Sequence, residues 1–176
     1  MKSLPFVLAF GALALAAYAF QGIRPTKSDK APEFVGNTWL NVAGKPPTLA
    51  SRAGKPTLVA FWTFACSNCQ ANLPPYARLY KKYKPKGVEL VAVHTPELDL
   101  ERKPEAVADH VKRFGIEYPV LLDRDNENWN RWHQEYWPTL YLLDGKGRLR
   151  SKWVGELHQS EAEVAKAIDR LLAEPS

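Results

Sequence analysis

The stretch Thr57-Leu58-Val59-Ala60-Phe61-Trp62-Thr63-Phe64-Ala65-Cys66-Ser67-Asn68-Cys69 decides how this chain is read. Its first six residues are apolar after Thr57 and rich in strand formers, the pattern of a strand buried on both faces. From about Ser67 to Tyr83 the period becomes helical, with Leu73, Tyr76, Ala77 and Tyr80 on one face. Pro74 and Pro75 lie inside that helix and are expected to kink it. Cys66 and Cys69, the only cysteines in the chain, therefore fall at a strand-to-helix junction. A helix N-terminus carries partial positive charge and free N–H groups, which favour a thiolate. A spacing of three brings the second thiol within reach of the first after about one turn. Such a pair cycles between dithiol and disulfide with little backbone movement. The alternative is a purely structural disulfide. A bridge over two intervening residues constrains the unfolded chain little, so the redox role is the stronger reading.

The rest of the composition bounds the partners. The 176 residues are 45% hydrophobic and 24% charged, which suits one globular domain with a substantial core. The net charge of +5 is scattered, and no basic run with interleaved aromatics occurs, so nucleic acid is excluded as an expected partner. The charge allows only mild attraction to acidic partners or anionic lipid. At the N-terminus, Lys2 precedes an apolar run from Leu4 to Phe20, and Ala17-Tyr18-Ala19 has small-x-small character. The run reads as a cleaved secretory signal or as an uncleaved membrane anchor. Both place the domain outside the cytoplasm, in the periplasm or on the outer face of the cytoplasmic membrane. The segment holds no cysteine, which rules out a lipoprotein anchor. The expected organisation is 1–19 signal or anchor, 20–32 linker and 33–174 folded domain.

Short edge strands are expected at Thr38–Asn41 and Thr48–Leu49, around the turn Gly44-Lys45-Pro46-Pro47. A second buried strand runs Val88–Val93 and ends at His94. A helix near 103–114 stops at Gly115, and a third strand spans Tyr118–Leu122. A short helix near 126–134 places Trp129, Trp132 and His133 on one side. The strand Thr139–Leu143 turns through Asp144-Gly145-Lys146-Gly147 into Leu149–Val154. Ser160 and Glu163 read as a capping box for a last helix that buries Val164, Ile168, Leu171 and Leu172. Strands alternating with helices, then a hairpin and helix, predict an α/β domain with a mixed central sheet.

This arrangement resembles the thioredoxin fold: Phe61-Trp62 before Cys66 and Cys69, Pro74 in the following helix, and Trp137-Pro138-Thr139 before a strand. The unit from about 97 to 123 is similar to the helix-strand insertion of TlpA-like extracytoplasmic thioredoxins. Phe61-Trp62-Thr63, Asn68-Cys69, His94-Thr95-Pro96-Glu97, Tyr118-Pro119-Val120 and Tyr136-Trp137-Pro138-Thr139 resemble the thioredoxin-like domain of DipZ-type proteins, as does Trp39-Leu40-Asn41. The resemblance implies a thiol-disulfide oxidoreductase, most simply a reductase of protein disulfides, with no cofactor or metal. It implies Cys66 as nucleophile and Cys69 as the resolving thiol. It implies a cis Trp137–Pro138 bond beside the cysteines, with Trp62 and Trp137 in support. It also implies protein thiols and disulfides as substrates. DipZ-type proteins carry a membrane electron-transfer domain, so here a separate membrane protein or thioredoxin-like donor is expected.

One departure concerns the proton. Thioredoxin's buried acid would fall at Ala60, where it is missing. His94, at a strand's carboxyl end where ligands of α/β sheets collect, is the candidate replacement, with Glu97 competing. Gly155, just past the last strand, leaves room for a partner's backbone or is a plain loop residue. Two other functions use similar residues. A copper or zinc metallochaperone would use two cysteines and a histidine, although Sco-type copper proteins have three residues between the cysteines, not two. A thiol peroxidase would use Thr63-x-x-Cys66, although Val59 stands where that motif has proline.

Overall fold

The computed structural model describes residues 30–158 and 160–174; the apolar run 4–20 lies outside them. Among the described residues no helix is long and apolar enough to cross a membrane. The strands are β1 (Trp39–Leu40), β2 (Thr57–Trp62), β3 (Glu89–His94), β4 (Val120–Leu122), β5 (Thr139–Leu143) and β6 (Leu149–Val154). The helices are α1 (Ser67–Tyr83), α2 (Pro104–Arg113), α3 (Glu127–Arg131) and α4 (Glu161–Ala173). One mixed sheet has the order β1-β4-β3-β2-β5-β6. β2 pairs parallel to β3 and antiparallel to β5, so it lies inside the sheet with every residue buried.

Strand alternation splits the core into two layers. Leu58, Ala60 and Trp62 face a cluster built with α1, α2 and α4. Val59 and Phe61 face the other side, where Trp132, Tyr141 and Leu143 pack. Phe61 is completely buried and meets the rings of Trp129, Trp132 and Tyr141. The helix α1 continues through Pro74 and Pro75. Its buried residues are Cys69, Asn72, Leu73, Pro75, Tyr76, Leu79, Tyr80 and Tyr83, and all but Pro75 follow one three-four stripe. Ala77, expected on that face, is exposed because the stripe passes through Tyr76 and Tyr80 instead.

Three local expectations need correction. Thr48–Leu49 is no strand; a 3-10 turn at Ala50–Arg52 follows instead. The Glu33 carboxylate accepts from the Leu49 and Ala50 amides, and Thr48 and Ser51 bond each other, which curls the segment. Ser160 makes no side-chain cap, because its backbone is already helical at φ −103° and ψ −4°. The start of α4 is held by Arg78–Glu161, with nitrogen and oxygen 2.6 Å apart. His133 is exposed with φ +49°, while Trp132 beside it is buried.

Asn72 joins α1 to the loop after β6. Its amide donates to the Gly155 carbonyl and its oxygen accepts from the Leu157 N–H, at 3.0 and 2.8 Å. Gly155 sits at φ +88°, a conformation that favours glycine, and its N–H donates to the Pro138 carbonyl. Asn72→Leu would strand a part-buried carbonyl and a buried N–H. We expect it to cost about 2–4 kcal/mol in urea denaturation and to speed hydrogen exchange at the Leu157 amide. An unchanged denaturation midpoint would show that this tether carries little.

Candidate active site

β2 ends at Trp62, and Thr63–Ala65 lead to Cys66, the residue that caps α1. Cys66 has extended backbone angles (φ −81°, ψ 117°), and its sulfur accepts from the Cys69 N–H at 3.4 Å. A thiol at an N-cap faces the free N–H groups of the first turn, where a thiolate is best accommodated. Cys66 is partly exposed and Cys69 fully buried, and both are free thiols. Burial pushes the Cys69 thiol well above the usual range, opposed by a hydrogen bond from the Thr63 backbone; the nearby Cys66 and Glu101 add to the rise. The pair is thus asymmetric: one sulfur meets a partner and the other waits beneath it.

Trp137–Pro138 is cis. The β2–β5 register pairs Phe61 with Thr139, so Pro138 falls beside the carboxyl end of β2, next to the cysteine loop. Trp137 and Cys66 pack against the same core cluster. Trp137 lies on Trp129 with ring centres 4.0 Å apart. Trp62 is 1% exposed and meets His94 edge to face. Gly155, through its bond to Pro138, is part of this edge.

His94 is indeed beside the site, in register with Trp62, but it is 1% exposed. Its ring lies between Trp62 and Phe64, and Phe64 stacks in turn on His110. Burial drives its pKa down to about 4, despite the nearby Glu101 charge that pulls the other way. A ring held neutral at pH 7 with so low an affinity is a poor proton acceptor there. The expected proton-transfer role thus meets a buried ring whose protonation burial opposes, and that ring packs the wall behind the cysteines. Glu97 is exposed, and only its backbone N–H turns inward.

The acid that the sequence reading missed is Glu101, from the 3-10 turn Asp99–Arg102. It is 2% exposed. One carboxylate oxygen accepts from the Thr63 hydroxyl and from the Ala65 N–H at 2.9 Å. The other accepts from the Glu97 and Leu98 N–H groups, both at 2.8 Å. Burial alone would raise its pKa, and these four donors more than reverse that, so the carboxyl is held below the usual range. His94 Nε2, which has no hydrogen-bond partner, stands 4.0 Å from it. The signal was the absence at Ala60, which directs attention to acids elsewhere, and four glutamates stand in the insertion: Glu97, Glu101, Glu105 and Glu117.

The buried His94 makes stability depend on pH. Unfolded, the ring binds a proton near pH 6.5; folded, it does so only near pH 4. Between these values the unfolded chain holds more protons, so stability falls as pH falls. The loss reaches about 3 kcal/mol at the bottom of the window. His94→Gln should flatten that part of the profile in denaturant titrations, and an identical slope in both proteins would contradict it. Glu101 adds to acid lability only lower, below the unfolded carboxylate range.

Comparison with known proteins places this geometry. Residues 28–152 match the AhpC/TSA family. Protein DipZ of Mycobacterium bovis is 41% identical over 128 residues, covering 72% of this chain and 18% of DipZ. Thiol-disulfide oxidoreductase ResA of Bacillus thuringiensis is 31% identical over 134 residues, covering 76% of this chain and 73% of ResA. The chain thus spans under a fifth of DipZ but nearly three quarters of ResA. A thioredoxin-family thiol:disulfide interchange protein from Chlorobium tepidum TLS superposes with a TM-score of 0.66 at 26% identity, over 82% of this chain and 96% of that one. The chain belongs to the AhpC/TSA family, in its thioredoxin-fold thiol-disulfide oxidoreductase branch.

Proposed function

We propose that this protein reduces disulfides of other proteins outside the cytoplasm, through the Cys66–Cys69 dithiol. The observation that carries this reading is the asymmetric cysteine pair: a partly exposed sulfur capping α1 and a buried one a turn further in. The Cys66 thiolate attacks a substrate disulfide, forms a mixed disulfide and releases one substrate thiolate. Cys69 gives up its proton and attacks the Cys66 sulfur. The internal disulfide forms, and the second substrate thiolate leaves and is protonated. Two electrons pass to the substrate, and a separate donor protein must return them. A membrane electron-transfer protein or a thioredoxin-like protein fits that need.

The signal-like run Leu4–Phe20 supports export, with or without a retained anchor. Fractionation with N-terminal sequencing tests this: a mature chain starting at Phe20 means secretion, and an intact Met1 in the membrane fraction means an anchor. A protein found only in the cytoplasm would refute export. Among the described residues no group of three or more His, Cys, Asp or Glu is arranged to hold a metal ion. The direct test of activity is reduction of insulin disulfides with an external reductant as donor, run beside a peroxide-consumption assay. Turnover of insulin supports the reading. Peroxide consumption without insulin reduction would replace it with a peroxidase.

A further inference from the structure

We infer that Glu101 is a positioning residue for this disulfide exchange: its carboxylate pins the Thr63–Ala65 loop that carries Cys66 to the Glu97–Leu98 turn of the insertion. The inference rests on the dithiol reading above and deepens it.

Each carboxylate oxygen of Glu101 takes two donors, one oxygen from each loop. A buried charge is costly unless its acceptor sites are filled, and here they are. No acceptor capacity remains for the Cys69 proton, so Glu101 is not the base. Its influence runs through what it holds. Thr63 gives its hydroxyl to Glu101 and its backbone to the Cys69 sulfur. Ala65 gives its N–H to Glu101 and is joined directly to Cys66. One carboxylate therefore sets the approach of both sulfurs. Its charge also opposes formation of the Cys69 thiolate, after burial and the neighbouring Cys66. The same group fastens the turn that exposes Leu98 and Leu100, so the insertion is tied to the reacting loop.

Glu101→Gln tests this, because the amide keeps the shape but turns an NH2 toward two donors. Insulin reduction should fall about tenfold, as expected for a displaced nucleophile. In stopped-flow resolution of a preformed mixed disulfide, the pH limb belonging to Cys69 should move to lower pH, since the opposing charge is gone. A merely structural role would lower the rate without moving that limb. Thr63→Val gives a second, milder test with the carboxylate in place: about threefold slower, limb unmoved. Wild-type rates in both variants, or an unmoved limb in folded Glu101→Gln, would overturn the inference. Failure of the wild-type protein to reduce insulin would instead remove the dithiol reading on which it rests.

Discussion

Cys66→Ser abolishes disulfide reduction, by at least about a thousandfold, because a serine hydroxyl at neutral pH is far too weak a nucleophile to open a disulfide. Cys69→Ser gives a different result. The attack by Cys66 survives, but the buried position can no longer resolve the product, so the enzyme accumulates as a mixed disulfide with its substrate. The asymmetry follows from burial: Cys66 is partly exposed, whereas Cys69 has no exposed surface and is out of reach of a large partner. Non-reducing gels and mass spectrometry of the trapped adduct check both results. Equal trapping by the two variants would show that the roles are not divided as the burial indicates.

The second large effect is on stability. Phe61→Ala should cost about 3–5 kcal/mol, the range for emptying a fully buried aromatic site. Phe61 stands in the interior strand β2 and touches three rings on the face opposite the cysteines. Those rings belong to Trp129, Trp132 and Tyr141, from the α3 region and β5, so no single element can shift to fill the space. Guanidinium denaturation should show a lower midpoint with an unchanged slope. A loss below about 1 kcal/mol would mean that the aromatic layer repacks freely.

Much of this was readable from residues whose signal is local. The all-apolar run of β2, the three-four spacing along α1 and the hairpin turn at Asp144–Gly147 each carry their own pattern, and the strands and helix appear where those patterns lie. What escaped reading depends on contacts between distant residues. The curl at Thr48–Leu49 is made by Glu33, and nothing near Thr48 announces it. Glu101 sits in Asp99-Leu100-Glu101-Arg102-Lys103, a charged run that reads as solvated surface. Two of the four donors that make burial of that carboxylate possible come from the distant Thr63 and Ala65. His94 was placed correctly beside Trp62, but its protonation is set by the rings and carboxylate around it, which the strand pattern does not contain.

The most direct test of the central claim is a redox titration of the wild-type protein in defined thiol–disulfide buffers, read by alkylation and mass spectrometry. A single two-electron transition between a dithiol and an intramolecular Cys66–Cys69 disulfide is expected, with a slope of about 30 mV per tenfold change in the ratio. Both cysteines remaining alkylatable throughout the range, while insulin is still reduced, would contradict it.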